Sequence, residues 1–516
     1  MEIIAYANEV IKKYNEFVGD ESSKCSGSDI PEYMLHSEKK NASFFFGTRA
    51  VEYAPKQQTI SYVGKPKDRD GHVLVVGGAG SGKSSCIAIP TLETWGGMIF
   101  AVDIKGELSE KWVNVRKENS RVKIFGFDKN RGILSTYDPF YLLDKDDDDL
   151  VQNVREIAQA IIPLLPNTIE PFWTLAAQNV LTAALLYGFN PETKDEDGND
   201  MSMSFNATIS RIQSVPIWEL IAEISGSGNK PAKMYVNQFS GIENPEDNKM
   251  LAGISAELSN KVMVFATDMR IRSAFEPSDD MMNWDDLKSH NIFMRIPEDK
   301  LGQWDGAITL MITQLIRTLE RRPDIYSKKG KEKNLPPILL LLDEFPRLGK
   351  VDAIQNAVST LRSKGVTICL MMQSLAQLDR TYGKETRQII VDNCQYKAIL
   401  NVTDPENQKI FSDMVGTVRV TTRSVSEGIG GSVGLSSGSN VGEDISYSDG
   451  KSKGRSDNHS VSIGTTREPI IHPHEFATLE DIVLMTPEGF CLVDKAPYYP
   501  DSKTKKQLPP LIAQLK

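Results

Sequence analysis

The chain has 516 residues, which is more than one hydrophobic core usually supports, so two or more folded units are expected. Hydrophobic residues make up 40% and charged residues 25% of the sequence, as is typical of globular proteins. The net charge of −10 argues against a protein that coats nucleic acid through a broad basic surface, but it leaves room for a locally basic channel inside an assembly.

The cysteines and the hydropathy indicate a soluble, cytosolic chain. The five cysteines are scattered and none has a C-x-x-C partner, which is typical of reduced structural thiols. They are Cys25, Cys86, Cys369, Cys394 and Cys491. "HPHEF" places His472 and His474 near Glu475, but without a further ligand cluster we interpret it as a loop and not as a zinc site. No apolar run approaches the ~18–20 residues of a membrane helix, and no secretory signal is visible.

Residues 1–43 are predicted to form an N-terminal amphipathic helix followed by a linker. Within residues 3–18, one helical face carries apolar side chains: Ile3, Ala7, Val10, Tyr14 and Phe17. The helix packs on its own domain in one interpretation, and it docks on a partner or a membrane surface in the other. "SSKCSGSD" follows it and has the composition of a linker.

Residues 44–150 have the pattern of the first part of a doubly wound α/β domain. Almost continuously apolar runs alternate with polar helical stretches, as expected for parallel strands that are buried on both faces. These runs are residues 72–77, 97–103 and 121–127. The acidic run "DKDDDDL" at 144–150 then marks a solvated boundary or the start of a helix.

Residues 151–284 are predicted to form an all-α domain inserted into the α/β chain, because helical periodicity dominates there. Residues 285–516 are expected to complete the α/β domain with further strands. The strand-like runs are residues 291–297, 336–344, 366–373 and 396–402. The predicted fold is therefore α/β with a parallel-rich central sheet, interrupted by an all-α insertion.

A Gly/Ser-rich segment spans residues 424–464, where 21 of 41 residues are Gly or Ser. Such a composition buries too little surface to fold compactly, so we predict a flexible insert. The sequences on either side, "TVRVTTRSVS" and "HSVSIGTTREPII", have strand character. We therefore expect a long hairpin with a mobile Gly/Ser tip.

A phosphate-binding loop is predicted directly after the strand-like run at 72–77. "GGAGSGKSS" fits G-x-x-x-x-G-K-[ST], a pattern in which glycines let backbone N–H groups converge on phosphate oxygens at the start of a helix. The expected nucleotide-binding residues are Gly77, Gly78, Ala79, Gly80, Ser81, Gly82, Lys83, Ser84 and Ser85. Lys83 can reach the β- and γ-phosphates and the Ser84 hydroxyl can ligate Mg²⁺. Pro90 is expected to kink or end the helix that follows.

Two adjacent acids end the run "ILLLLDE". A nucleotide site of this class needs a carboxylate near Mg²⁺ at the tip of a buried strand, and Asp343 supplies one. Glu344 can accept a proton from the attacking water. The alternative is a helix N-cap after a core strand. The phosphate loop upstream favours the catalytic interpretation.

Two further residues are predicted to belong to the catalytic site. Gln373 ends the strand-like run 366–373, where it can sense the γ-phosphate or position water; the alternative is an amide that caps a loop. Arg362 precedes that run and can be an arginine finger for a neighbouring subunit, or an ordinary surface arginine.

With these motifs in place, the chain resembles the coupling proteins of type IV secretion and conjugation systems, the TraG/TraD-like ATPases. The likeness covers roughly residues 44–500. "VVGGAGSGKSS", "VDIKGEL", "LLLLDEFPRLG", "LMMQS" and "DNCQYKAIL" occur in the family's order. The elements K-G-E-L and D-E-F-P-R-L-G are far more discriminating than the phosphate loop, which many ATPases share.

The resemblance implies a RecA-like motor that binds ATP and Mg²⁺ and works as a homo-hexamer, while the isolated chain could be a monomer. It implies that ATP hydrolysis recruits DNA, single- or double-stranded, and relaxase or effector proteins, and drives them into a membrane secretion channel. The all-α domain would recognise the protein cargo. On this resemblance, Lys83, Glu344, Gln373 and Arg362 are catalytic, and Ser84 and Asp343 bind the metal. Asp103, Lys105 and Glu107 match a family signature whose role the sequence does not reveal.

The sequence departs from the family pattern in three places. Ile104 stands where the family usually has proline, and "YDPF" at 137–140 stands where it more often has N-P-L. The pair of N-terminal membrane helices common in the family is missing. We therefore expect either a cytoplasmic protein that reaches the inner face of the membrane through a partner, or a truncated form of a longer one.

Two other functions compete with the coupling motor. One is a housekeeping DNA translocase of the FtsK/HerA type, which the inserted helical domain disfavours. The other is a nucleotide-gated docking receptor that binds its cargo without pumping. A pure switch does not need Glu344, so that residue discriminates between motor and receptor.

Overall fold

The computed structural model describes residues 30–54, 57–115, 122–127, 136–166, 168–192, 201–279, 281–327, 335–439 and 447–496. The predicted N-terminal helix lies outside the described residues. The chain divides into two compact units. Among the described residues, residues 409–473 form the smaller unit, and residues 30–408 with 474–496 form the larger one.

The described residues contain fourteen strands and fourteen α-helices. The strands are β1 (Leu35–His36), β2 (Phe44–Ala54), β3 (Gln57–Lys65), β4 (Val73–Val76), β5 (Met98–Asp103), β6 (Val122–Gly126), β7 (Asn291–Arg295), β8 (Ile338–Leu342), β9 (Val366–Met372), β10 (Tyr396–Ile399), β11 (Thr417–Ser439), β12 (Tyr447–Pro469), β13 (Ile482–Thr486) and β14 (Gly489–Val493). The helices are α1 (Ile89–Thr94), α2 (Glu107–Val115), α3 (Leu150–Ile161), α4 (Pro171–Phe189), α5 (Phe205–Ser214), α6 (Ile217–Gly226), α7 (Lys230–Val236), α8 (Lys249–Thr267), α9 (Met269–Ala274), α10 (Asp305–Glu320), α11 (Ile354–Thr360), α12 (Leu375–Tyr382), α13 (Lys384–Asn393) and α14 (Pro405–Val415).

A nine-stranded sheet forms the centre of the larger unit, in the order β14-β13-β10-β4-β9-β8-β5-β7-β6. All neighbours from β10 to β6 pair in parallel, whereas β13 and β14 form an antiparallel edge. Every side chain of β4, β8 and β9 is buried, as expected for parallel strands covered on both faces. The seven strand-like runs of the sequence are the parallel strands, so that prediction is confirmed.

A small antiparallel sheet of order β1-β3-β2 precedes the phosphate loop, and no sequence pattern indicates it. Its strand β2 carries three consecutive phenylalanines, Phe44, Phe45 and Phe46, which are all fully buried. The Phe45 N–H donates to the Thr91 hydroxyl of α1 at 3.1 Å, and that hydroxyl donates back to the Phe45 carbonyl at 3.3 Å. The sheet therefore covers the helix that follows the phosphate loop.

Helices α3 to α9 follow one another between Leu150 and Ala274. Several begin at a side chain that accepts hydrogen bonds from the first turn. Ser204 caps α5, Asn229 caps α7 and Asn248 caps α8. No helix of the described ranges is long and apolar enough to cross a membrane. The predicted domain limits, 44–150, 151–284 and 285–516, stay predictions.

The smaller unit contains the long hairpin of β11 and β12, which pair antiparallel from Thr417 with Pro469 to Ser439 with Tyr447. The hairpin matches the sequence expectation, but its strands run through most of the Gly/Ser-rich segment that was expected to be flexible. In a two-stranded ladder the backbone N–H and C=O groups bond to each other without a hydrophobic core, so a Gly/Ser-rich composition does not prevent the hairpin. Residues 440–446, where the tip is expected, lie outside the described residues.

Candidate nucleotide site

All the predicted site residues except Arg362 gather at the carboxyl ends of three adjacent parallel strands. Strand β9 lies between β4, which leads into the phosphate loop, and β8, which leads into the two acids. Val76 pairs with Met372, the residue before Gln373. The structure thus places Gln373 between the phosphate loop and the acids, because connected parallel strands end at the same edge of a sheet.

Backbone hydrogen bonds hold the start of the phosphate loop. The Gly77 N–H donates to the Met372 carbonyl at 3.2 Å, and the Gly78 N–H donates to the Asn401 carbonyl at 2.8 Å. Asn401 follows β10 and is itself held by its side chain, which donates to the Leu479 carbonyl at 2.9 Å. The sequence did not single out Asn401; its only signal is a polar residue at the end of an apolar run.

Two glycines of the loop are required by its geometry. Gly82 has φ +98°, and a Cβ there would lie 2.8 Å from the Cys86 Sγ. A Cβ on Gly77 would lie 2.5 Å from the Ser81 Oγ. At Gly80, φ is +74° and nothing lies within 4 Å of the missing Cβ, so the loop opens outward at this point.

The helix after the loop begins with a wide turn. Residues Lys83–Ala88 are π-helical, and the Ile89 N–H donates to the Ser84 carbonyl five residues back. Pro90 does not end this helix, which continues as α1 to Thr94. The proline stands in the first turn of the α-helical part, where a missing N–H is tolerated. The expected end of the helix at Pro90 is therefore wrong, and the alternative, a kink, stays a prediction.

Lys83 is the centre of the polar contacts in the loop. Its ammonium donates to the Gly77 carbonyl at 2.7 Å and to the Gly78 carbonyl at 3.3 Å, and it lies 4.0 Å from the Glu344 Oε1. Its side chain is only 8% exposed. Burial lowers the pKa of Lys83, and the charge of Glu344 opposes that change. The amine predicted to bind phosphate therefore faces the acid predicted to activate water.

Asp343 and Glu344 occupy the first turn after β8. Burial, and then the neighbouring Glu344 charge, raises the pKa of Asp343 to about 6, while the Lys83 charge opposes the rise. The Asp343 Oδ1 accepts the Glu344 N–H at 3.0 Å. Glu344 has φ +48°, a left-handed conformation that costs a side-chain-bearing residue about 1–3 kcal/mol. Such strain is typical of functional sites, where the surrounding structure enforces it.

The predicted sensor contacts the predicted base. The Gln373 Nε2 donates to the Glu344 Oε1 at 3.0 Å. The Glu344 Oε2 is buried and has no hydrogen-bond partner among the described residues. After this strained turn, Phe345 is buried and stacks on Tyr382, with ring centroids 5.3 Å apart. The "FP" of the D-E-F-P-R-L-G element therefore anchors the acids.

Arg362 lies elsewhere. It precedes β9, whose other end leads to Gln373, so about 23 Å of strand separate the two at ~3.3 Å per residue. Arg362 is exposed, and within the described ranges its side chain has no hydrogen bond or ion pair. It lines a cleft of 580 Å³ together with Lys67 and Asp70. This position excludes a role at the nucleotide site of its own chain, and its role in a neighbouring subunit stays a prediction.

The donor set fits a nucleotide with Mg²⁺. Beside Lys83 and the open Gly80, two buried oxygens lack partners among the described residues, the Ser81 Oγ and the Glu344 Oε2. Ser84 is half-buried in the first turn after the loop, and Ser85 lies beside it. The Ser85 hydroxyl lies 3.5 Å from the Gly82 carbonyl.

Asp343 offers a hard oxygen ligand of the kind Mg²⁺ prefers. Ala79 and Gly80 are exposed.

A family model described as "Type IV secretory system Conjugative DNA transfer" matches residues 33–515. The chain belongs to this family. It is 23% identical to Protein VirD4 of Rhizobium rhizogenes, over 84% of this chain and 59% of that protein. It is also 23% identical to the conjugal transfer protein TraG of Escherichia coli, over 80% of this chain and 67% of that protein. The chain thus spans about three fifths of the VirD4 relative and two thirds of the TraG relative.

Solved structures of the conjugative coupling protein TrwB share the fold. TrwBdeltaN70 in complex with sulphate superposes with a TM-score of 0.61 at 17% identity, covering 90% of this chain and 98% of that one. TrwB in complex with ADP and Mg²⁺ gives 0.58 at 16% identity, covering 86% and 90%. The predicted fold class, a RecA-like α/β domain with a parallel-rich sheet and inserted helices, is confirmed, and so is the predicted family.

Proposed function

We propose that this chain is the ATP-hydrolysing coupling protein of a type IV secretion system. The single observation that carries the proposal is the convergence of Lys83, Glu344 and Gln373, since the Glu344 Oε1 lies 4.0 Å from the Lys83 ammonium and accepts the Gln373 amide at 3.0 Å. Family membership and the Mg²⁺ and ADP named for TrwB support the same choice.

Each side chain has a distinct task in this proposal. Lys83 leaves its two carbonyl partners to bind phosphate oxygens, and the loop N–H groups bind the others. Asp343 and Ser84 hold Mg²⁺, which offsets phosphate charge when bound. Glu344 accepts the proton of the attacking water, and Gln373 orients the Glu344 carboxylate through its amide. The pKa of about 6 keeps Asp343 ionised at neutral pH, as a metal ligand must be.

The binding partners that we propose are those expected from membership of the family. ATP hydrolysis drives DNA, with attached relaxase or effector proteins, into a membrane secretion channel, and the active form is a homo-hexamer at the inner face of the membrane. The position of Arg362 at the far end of β9 is compatible with a ring, because an arginine finger there would act on the site of a neighbouring subunit and not on its own. The helices between Leu150 and Ala274 are the proposed cargo-binding part.

The deciding experiment measures Mg²⁺-dependent ATP hydrolysis by the chain without DNA, with single-stranded DNA and with double-stranded DNA, together with the mass of the assembly. We expect DNA to stimulate hydrolysis and to promote oligomers. Lys83→Ala should weaken ATP binding and abolish hydrolysis. Lys288→Ala is the matched control, because Lys288 is exposed and pairs with Asp285 at the far end of β7. Tight ATP binding without hydrolysis under any of these conditions would favour the docking receptor instead.

A further inference from the structure

The turn between β5 and α2, residues 103–107, carries the family signature "DIKGE" and has no task in the proposal above. It lies at the same edge of the sheet as the nucleotide site. Val102 pairs with Leu342 of β8, so Asp103 stands beside Asp343 in the sheet. On the other side Asp103 pairs with Arg295 of β7. Two acids therefore stand side by side where the metal is expected.

Both oxygens of Asp103 already accept hydrogen bonds from the start of α2, which makes Asp103 less available as a metal ligand than Asp343. It is 2% exposed. One oxygen accepts the Leu108 N–H at 3.2 Å, and the other accepts the Ser109 N–H at 2.9 Å and the Ser109 hydroxyl at 2.6 Å. The Arg295 Nε donates to the same hydroxyl at 2.7 Å. Asp103 thus ties the start of α2 to the ends of β5 and β7.

The anchored turn projects one cation. Lys105 is exposed between the buried Ile104 and Gly106, whose φ of +76° suits glycine. Within the described part of the chain, the Lys105 ammonium has no hydrogen bond and no ion pair. The buried network holds the turn that carries Lys105, and the exposed ammonium is available for a ligand.

Strand order places the Lys105 turn beside the reacting groups. Strand β5 lies between β8, which leads into the two acids, and β7. The carboxyl ends of these parallel strands lie at the same edge of the sheet. The turn that carries Lys105 therefore lies between the loops after β7 and β8, on the side of the sheet edge that carries the acids.

We propose that Lys105 is a second cation for the terminal phosphate of the nucleotide, and that Asp103 is the residue that positions it. This inference rests on the proposed function. In a RecA-like site the γ-phosphate lies next to the acid pair, and a cation there meets charge that the diphosphate product lacks. Asp103 contacts only the protein and acts through the turn that carries Lys105.

The test compares binding of ADP with binding of ADPNP, a non-hydrolysable triphosphate, in the full chain with Mg²⁺. Lys105→Ala should weaken ADPNP binding about tenfold or more and leave ADP binding unchanged. Turnover of ATP should fall in parallel, and Lys105→Arg should restore part of both because it keeps the charge. Lys288→Ala should change neither. Since Lys105 is exposed, its replacement does not disturb the core.

Asp103→Asn gives the second readout, the ratio of ADPNP to ADP affinity. A lost position for Lys105 lowers this ratio, whereas general damage weakens both nucleotides equally. If this buried variant does not fold, the Lys105 variants still decide. Unchanged ADPNP affinity in Lys105→Ala, or an equal loss for ADP and ADPNP, would overturn the inference while leaving the ATPase proposal intact. Failure of the unmodified chain to bind either nucleotide would instead reject the proposed function.

Discussion

The buried ionisable groups at the two ends of the central sheet have different kinds of partners. At the carboxyl ends, Lys83, Asp343 and Glu344 are withdrawn from water and face one another. At the amino ends, the buried Lys65 and His72 bond to backbone groups and not to a side chain of opposite charge. The Lys65 ammonium donates to the Arg69 carbonyl at 2.6 Å, and the His72 Nδ1 accepts the Ile368 N–H at 3.0 Å.

Burial lowers the pKa of Lys65 to about 8 and that of His72 to about 3, so both are as strongly perturbed as the site residues. A perturbed pKa by itself therefore does not identify the active end. The difference lies in the partners: at the carboxyl end the Lys83 ammonium faces the Glu344 carboxylate at 4.0 Å, whereas Lys65 and His72 bond to backbone groups. Both ends leave a buried atom without a partner among the described residues, the Glu344 Oε2 at the carboxyl end and the His72 Nε2 at the amino end. The exposed Arg362 also lies at the amino end, where its predicted role as an arginine finger would act on a neighbouring subunit.

The largest expected effect is on ATP turnover when Arg362 is replaced. Arg362→Ala should lower ATP turnover by roughly 10³–10⁵-fold if the guanidinium completes a neighbour's site. The cleft offers a matched control in Lys67→Ala, an exposed cation in the same cleft that should change turnover little. Mixing Arg362→Ala with Lys83→Ala should restore some activity, because each can supply what the other lacks. No restoration at any ratio would make Arg362 an ordinary surface residue.

The next effect concerns the carboxyl end. Glu344→Gln should keep ATP binding but lower turnover by roughly 10²–10⁴-fold, because an amide cannot take the proton from water. Its carbonyl oxygen can still accept the Gln373 amide, so the site keeps its shape. ATP binding and single-turnover hydrolysis measure the two properties separately. Glu298→Gln, an exposed acid after β7, is the control. Turnover equal to that of the unmodified chain would remove Glu344 from the mechanism.

The smallest expected effect is on stability and its pH dependence. The pKa of Asp343 is raised from 3.8 to about 6 by folding, so the folded chain holds this proton more tightly than the unfolded chain. The resulting loss of stability is absent below about pH 4, grows up to about pH 6 and is complete above it.

Asp343→Asn removes this cost, because the amide stays neutral and can still accept the Glu344 N–H. We expect it to raise the free energy of unfolding by about 1–3 kcal/mol at pH 8 and by less at pH 5, at the expense of Mg²⁺ binding. Denaturant unfolding without nucleotide at both pH values is the measurement. Equal changes at pH 5 and pH 8 would show that the Asp343 charge is not the cause.

Much of the carboxyl end can be predicted from local sequence. The glycine spacing from Gly77 to Gly82 predicts the bend of the backbone in the phosphate loop. The apolar run 338–342 before Asp343 predicts a strand that is buried on both faces. Both signals depend on the residues next to them in the chain. The same local reasoning expected the helix to end at Pro90, whereas a π-helical turn precedes the proline and the helix continues. It did predict the long hairpin that β11 and β12 form, while the flexibility of the Gly/Ser-rich segment stays a prediction.

By itself, therefore, the sequence determined the class of chemistry: a phosphate loop, an acid pair, a strand-end amide and the signature that continues after the acids. Only the tertiary structure decided how they meet. Strand order puts β9 between β4 and β8 and places Arg362 at the far end. Asp103, whose role the sequence did not reveal, accepts hydrogen bonds from the start of α2 and holds the turn that carries Lys105. The physical reason is that strand order and burial depend on packing between residues hundreds of positions apart, such as Val76 with Met372, which no local pattern encodes.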